Sequence, residues 1–230
     1  MPERAAPLLV FHGGTFDPVH CGHLAVAEAA HARLRAPVRL LPSSDPPHRA
    51  PTGADARHRA AMLALAIAGR PGLRLDLGEL ERGRPTRTID TLEAVRAACG
   101  ADQPIAFVLG ADSFRALPTW KGWPGLLDAA HWVVAGRTGH PLAEGLPAEL
   151  AEALRGRCTE DAEALHADRG GRVLLLDQPL HPASASRVRA LVASGGDWRH
   201  LVPPAVADYI DRHHLYMAPG AGSAPDSPSL

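Results

Sequence analysis

Short apolar runs and longer stretches of helical spacing take turns along this chain. Leu8-Leu9-Val10-Phe11 is a continuous apolar run of the kind a strand buried on both faces requires. From His23 to Leu34 apolar residues return at helical spacing. Val38–Leu41 reads as a second strand, stopped by Pro42 and the turn-forming Ser43-Ser44-Asp45-Pro46-Pro47. The alternation goes on with a helix over Ala54–Ala68, a strand over Leu73–Leu77 and a helix over Thr88–Ala98, whose Asp90 and Glu93 lie near its positive N-terminal end. Ile105–Leu109 and His131–Ala135 read as strands, Pro147–Arg155 as a helix and Arg172–Leu176 as a strand. Helices over Arg187–Ser194 and Pro204–His213 close the pattern.

Strands that alternate with helices imply right-handed crossovers, and so an α/β fold: a doubly wound, mostly parallel sheet with helices on both faces. Sheets of this kind bind ligands beyond the carboxyl ends of their strands. The chemically loaded segments here follow strand ends: 13–23 after the first strand, 43–49 after the second, 110–120 after the fourth and 136–137 after the fifth. That placement predicts a single shared site. One domain is expected over 1–217, and the Pro/Gly/Ser/Ala-rich stretch 218–230, with little to bury, is expected to be disordered.

Composition narrows the function classes. Apolar content of 46% is enough for a buried core, and no run approaches the roughly 18 consecutive apolar residues of a membrane span. Met1-Pro2-Glu3-Arg4-Ala5 lacks the apolar centre of an export signal. A net charge of −1 with interspersed signs leaves no basic footprint for nucleic acid. Cys21, Cys99 and Cys158 are odd in number and far apart, which argues against a disulfide framework and a structural zinc site and fits a reducing cytoplasm. Cys21 reads as a small buried thiol rather than a nucleophile. Five of the few aromatic residues, Phe107, Phe114, Trp120, Trp123 and Trp132, fall close together and read as a core cluster. Trp120 is the exception, because Pro118-Thr119-Trp120 reads as a loop that turns the ring toward a ligand.

The densest chemistry lies in Gly13-Gly14-Thr15-Phe16-Asp17-Pro18-Val19-His20-Cys21-Gly22-His23. Two glycines let the chain turn tightly and approach an anion with no Cβ in the way. Amides there and at the following helix N-terminus offer oriented positive charge for phosphate. His20 and His23 lie one helical turn apart and can donate to phosphate oxygens from the same side. An HxxH pair with Asp17 nearby could instead hold a metal, but no third ligand stands at suitable spacing and the Gly-Gly turn would go unexplained.

This run resembles the (H/T)xGH signature of the nucleotidylyltransferases, a Rossmann-like superfamily related to the class I aminoacyl-tRNA synthetases. Its second signature, of the form ISxTxxR, resembles Ala183-Ser184-Ala185-Ser186-Arg187-Val188-Arg189. Ala183 stands for the usual Ile and Ser186 for the usual Thr, which keeps a hydroxyl for capping or phosphate contact. The first run alone would leave pantetheine-phosphate and other adenylyltransferases open. Further segments narrow the resemblance to the bacterial nicotinate-nucleotide adenylyltransferases: Pro46-Pro47-His48-Arg49, the PxxTxxTL pattern in 85–92, Gly110-Ala111-Asp112-Ser113, Pro118-Thr119-Trp120, Arg137, and the closing Tyr209-Ile210 and Leu215-Tyr216.

The resemblance implies that the 5′-phosphate of nicotinate mononucleotide is joined to the α-phosphorus of ATP, giving deamido-NAD and pyrophosphate, with Mg²⁺ accompanying ATP. It implies that His20 and His23 bind the ATP phosphates, with His23 at the reacting α-phosphate. Arg189, with Ser184 and Ser186, would hold the β- and γ-phosphates. Gly13, Gly14, Thr15 and Phe16 would meet the nucleotide through backbone atoms. Asp112 would bind a ribose hydroxyl, unless it only caps the short helix after Gly110. On the acceptor side the resemblance puts Trp120 on the pyridine ring, Thr88 in the segment whose amides read the carboxylate, and His48, Arg49 and Arg137 at the mononucleotide phosphate. An enzyme of the same fold that prefers the amide mononucleotide, and a non-catalytic nucleotide-binding regulator, remain the rival readings.

Overall fold

The structure is a computed structural model that describes residues 6–44, 53–137, 145–178 and 181–218. His48 and Arg49, the expected disorder of 219–230 and the side chain of Arg137 lie outside the described residues. In chain order the first half comprises β1 (Leu9–Gly14), α1 (Cys21–Leu34), β2 (Val38–Pro42), α2 (Ala56–Ile67), β3 (Leu73–Leu75), α3 (Gly78–Glu81), α4 (Thr88–Cys99) and β4 (Ile105–Gly110). The second half comprises α5 (Ala111–Arg115), α6 (Leu126–Ala129), β5 (His131–Arg137), α7 (Ala148–Ala153), β6 (Cys158–Thr159), α8 (Ala164–Ala167), β7 (Val173–Gln178), α9 (Ala185–Ser194) and α10 (Pro204–Arg212).

The strands form one sheet of order β3-β2-β1-β4-β5-β7-β6. Every pairing is parallel, so the expectation of a mostly parallel sheet is met in full. The physical reason lies in two-sided burial. Val10, Val108, Val133 and Leu176 point into one apolar layer with α1, α2, α9 and α10. Their chain neighbours Phe11, Phe107, Leu109, Trp132 and Val134 point into a second layer with α4, α5, α6 and α7. A strand loaded on both faces must be covered on both, and each fully buried Val, Leu or Phe contributes about 1.5–3 kcal/mol toward that arrangement.

From β1 the chain winds outward through β2 to β3, then returns to lay β4 on the other side of β1. The direction of winding therefore reverses between β1 and β4, and a crevice opens beyond their carboxyl ends. Gly13 and Gly14 end β1 there, and Gly110 ends β4.

Two details depart from the sequence reading. The Gly-Gly pair is not a turn: Gly13 and Gly14 continue β1 in register with Leu41 and Pro42. The backbone reversal falls instead on Phe16, whose φ is 53°. The third strand also stops early, at Leu75, and residues 78–81 form the short helix α3.

Candidate active site

At the end of β1 the sequence builds an unusual helix start. His20 is the N-cap residue of α1, with extended backbone. Its backbone N–H donates to His23 Nδ1 at 3.3 Å, and the His23 N–H donates to His20 Nδ1 at 3.3 Å. Two imidazoles thus do what a Ser and a Glu do in an ordinary capping box. The rings stack with centroids 3.6 Å apart. Because each Nδ1 accepts a hydrogen bond from a backbone N–H, the proton of each neutral ring belongs on Nε2. Both rings line a cleft of about 740 Å³, together with Gly13, Gly14, Gly110, Asp112 and Ser113.

Burial keeps these rings uncharged. It is the main cause that brings the His20 imidazole down to about 4, with His181 and then His12 adding repulsion. The His23 ring is held well below the ordinary histidine range by burial first, then by His20 and His12. The site is therefore furnished with neutral donors at neutral pH.

The glycines serve close approach. A Cβ on Gly14 would lie 3.1 Å from the Phe16 ring, and one on Gly22 would lie 3.0 Å from His20 Nδ1 and 3.2 Å from the Ala183 carbonyl oxygen. Gly22 thus explains the glycine of the HxGH run: it lets the His20 ring and the approach to α9 close on the same helix turn. Phe16 is buried, with its ring edge-on to His23 at 4.9 Å between centroids. It supports His23 from beneath.

Asp17 does not face the cleft. Its carboxylate accepts from the N–H groups of Gly53 and Ala54 at 2.9 and 3.1 Å and from the Tyr216 hydroxyl at 2.7 Å. The Asp17 carboxylate, the third group near the HxxH pair, is thus engaged by the entry to α2 and by Tyr216. Arg189 Nη1 donates to the Asp17 carbonyl and lies 3.8 Å from its carboxylate. The tertiary structure therefore brings the guanidinium from α9 to the same loop that carries the histidines. Ser184 is the N-cap of α9 and accepts from the Arg187 N–H, with Ser186 Oγ 3.3 Å from its own. Asp112 sits in the first turn of α5, where Gly110 is the N-cap; its exposed carboxylate pairs with Arg115 at 3.1 Å and caps nothing.

A second cavity of about 510 Å³ adjoins the first and shares Gly13, Gly14, Leu109 and Ser113 with it. Thr15 belongs to this side, with Thr86, Arg87, Thr88, Trp120 and Lys121. The Asp90 carboxylate accepts from the Arg87 N–H at 2.9 Å, and Ser44 Oγ accepts from that of Thr86 at 3.2 Å. The N–H of Thr88, ahead of the first intrahelical bond from Thr91 to the Arg87 carbonyl, has no intrahelical acceptor and belongs to a residue that lines the cavity. Trp120 is half-buried, its ring edge-on to the fully buried Trp132 at 6.3 Å. Phe107, Phe114 and Trp132 are core, as expected, and Trp120 and Trp123 pack against that core. Trp120 alone of the last two lines the cavity. Arg137 ends β5 opposite Gln178.

Three residues escaped the sequence reading. His12 precedes the glycines and lies within β1, one residue beyond where the apolar run stops. His181 lines the first cleft, its Nδ1 accepting from the Ala183 N–H. Glu79 lines the second; burial pushes its carboxyl up, and the Thr91 hydroxyl donates to it at 2.7 Å. The HGG order was the one local signal available, since it sets a polar residue where the strand's next inward side chain belongs.

Comparison with known proteins agrees with this geometry. Residues 11–191 match the family model described as cytidylyltransferase-like. A protein of Stenotrophomonas maltophilia called a probable nicotinate-nucleotide adenylyltransferase is 51% identical over 217 residues, covering 92% of this chain and 98% of the relative. One of Xylella fastidiosa with the same name is 45% identical, covering 91% of this chain and 96% of the relative. Among solved structures, a Plasmodium falciparum nicotinic acid mononucleotide adenylyltransferase complexed with NaAD shares the fold, with a TM-score of 0.68 at 16% identity over 91% of this chain and 97% of that one. On cleft, histidine pair and sequence together, the chain belongs to the nicotinate-nucleotide adenylyltransferase family within the cytidylyltransferase-like proteins.

Proposed function

We infer that this protein transfers the adenylyl group of ATP to nicotinate mononucleotide, giving nicotinate adenine dinucleotide and pyrophosphate. The observation that carries this is the pair of adjoining cavities that meet at Gly13 and Gly14, with two neutral imidazole donors on one side of the junction and an aromatic ring and a helix N-terminus on the other. Two nucleotides laid in them would bring a phosphate monoester against the α-phosphorus of a triphosphate.

Little covalent chemistry is then asked of the protein. A phosphate monoester is already nucleophilic at neutral pH, so in-line alignment and neutralisation of charge on the phosphoryl oxygens supply the rate. His23 Nε2–H serves the α-phosphate, and His20 a neighbouring oxygen, as preset donors that need no reorganisation. Backbone at Gly13 and Gly14 lets the chain approach the phosphates, and Asp112 at the cleft rim serves the ribose. Ser184, Ser186 and Arg189 serve the outgoing pyrophosphate, the guanidinium fork suiting two phosphate oxygens. Mg²⁺ enters as the ATP complex, its ligands mainly phosphate oxygens. Trp120 stacks on the pyridine ring, while the α4 amides at Thr88 favour a carboxylate over a carboxamide, whose NH₂ would face like donors. His48, Arg49 and Arg137 are assigned to the mononucleotide phosphate by the family resemblance. Three unpaired thiols fit work in a reducing cytoplasm.

A coupled pyrophosphate assay tests this reading. Product is expected with ATP and the acid mononucleotide, at a kcat/KM well above that for the amide mononucleotide. His23→Ala should lower kcat by about 10²–10³-fold with the fold intact by circular dichroism. Pyrophosphate release unaffected by that change, or none from the wild type, would remove the assignment.

A further inference from the structure

Three histidines, not two, meet beneath the nucleotide cleft, and the third differs from the pair in its bonding. His12 lies on β1, only 5% exposed, and its ring lines the larger cavity. The ring is 6.2 Å from that of His23 and 5.7 Å from Phe16. Its Nδ1 is 3.1 Å from the Val108 carbonyl oxygen on β4, which fixes the neutral ring's proton at Nδ1. Nε2 is then a buried lone pair, and it has no hydrogen-bond partner. A buried polar atom without a partner calls for an explanation, and beside this cleft an incoming anion supplies one.

The bonding decides which ring can take a proton. Charging His20 or His23 would place an N–H on an Nδ1 that already accepts a backbone N–H, so each would lose its half of the helix cap. His12 sacrifices nothing: its Nδ1–H stays on the Val108 carbonyl and the second proton goes to the vacant Nε2. Burial holds this ring at about 4, even though the Val108 carbonyl favours the charged form. Phosphate charge brought close to it, in surroundings of low effective dielectric, favours the charged ring and opposes the burial that keeps it neutral. The ionisable side chains that line the same cleft are His20 and His23 of α1, Asp112 and Arg115 of α5, and His181 ahead of α9. Asp112 and Arg115 are paired with each other, and the other histidines oppose a charge on His12 until phosphate enters.

We propose that His12 is the proton-accepting residue of the triphosphate site: when a nucleoside triphosphate fills the cleft, Nε2 of His12 takes one proton from solvent, and the imidazolium so formed balances phosphate charge from below until product leaves. The proposal rests on the adenylyltransferase reading. It makes nucleotide affinity pH-dependent through a residue outside the HxGH pair, and it assigns His12 a positioning charge with no part in bond making.

Calorimetric titration of the full-length protein with α,β-methylene ATP and Mg²⁺ at a pH of about 7.5, in buffers of different ionisation enthalpy, counts protons bound. Uptake of more than about half a proton per nucleotide is expected for the wild type. His12→Gln and His12→Phe should abolish that uptake and weaken binding most at the acid end of the pH range. Should both variants fail to fold, nitrogen-15 NMR of the wild type reads the ring directly, and the Nε2 resonance of His12 should move to the imidazolium position only when nucleotide is bound. Nucleotide binding with no proton taken up, uptake undiminished in the variants, or a His12 resonance that stays neutral overturns the proposal and leaves the function standing. No binding by the wild type would overturn both.

Discussion

At the scale of single residues, the site works by making polar atoms satisfy the backbone with one end and face the ligand with the other. His20 and His23 spend Nδ1 on the start of α1 and keep Nε2–H in hand, so the same two side chains fold the helix and furnish the donors. Trp120 divides its ring likewise between Trp132 and the second cavity. If that free face carries the pyridine, Trp120→Ala should raise KM for nicotinate mononucleotide by about tenfold, since base–aromatic stacking is worth about 1–3 kcal/mol, and leave KM for ATP nearly unchanged; equal effects on the two substrates would refute stacking. Buried neutral histidine also carries a stability cost in acid. The unfolded chain titrates near 6.5 and His12 in the folded chain near 4, so between those values the unfolded state binds more protons and stability falls as the pH drops. At pH 5 His12 alone should cost about 2 kcal/mol relative to pH 8. Urea unfolding across that range should show the loss, and His12→Phe should reduce it.

At the scale of elements, the close meeting of α1 with the approach to α9 decides whether the two signatures form one site. Gly22 is the contact point, with His20 on one side and the Ala183 carbonyl on the other. Gly22→Ala introduces a methyl group into that gap and should displace the His20 ring. Turnover should then fall by about 10- to 100-fold without loss of secondary structure, since misplacing a catalytic group by about 1 Å can cost about 10²-fold. Circular dichroism with steady-state kinetics checks both halves, and a fully active variant would show that the gap is slack. Element boundaries followed the apolar pattern where burial is two-sided, as in β4 and β5. They failed where geometry outranks hydropathy. Apolar content alone ends the first strand at Phe11, whereas hydrogen bonds to β2 carry it through His12 to Gly14. Short elements such as α3 and β6 left no pattern long enough to read, because a four-residue helix spans barely one turn and a two-residue strand shows no alternation.

At the scale of the whole molecule, one buried carboxylate ties together segments distant along the chain. Asp17, 5% exposed, accepts from Gly53, Ala54 and Tyr216 and lies beside Arg189, joining the first loop, the entry to α2, helix α9 and the segment after α10. Tyr216→Phe removes one donor from a buried acceptor and should lower unfolding free energy by about 1–2 kcal/mol in urea titrations; an unchanged midpoint would show that the remaining donors suffice. The amino-acid sequence by itself determined the layered α/β architecture, because strands apolar on both faces admit no other covering. It also carried the family resemblance that implies the reaction class, because the Gly-Gly and HxGH run is local and a local arrangement of backbone and side chain is written within a few residues. The tertiary structure alone decided what long-range packing controls: that Arg189 reaches the Asp17 loop, that Asp17 is a tie rather than a ligand, and that His12 enters the cleft with a vacant nitrogen. Burial and the carbonyl supplied by β4 set that last property, and neither exists until the sheet has closed.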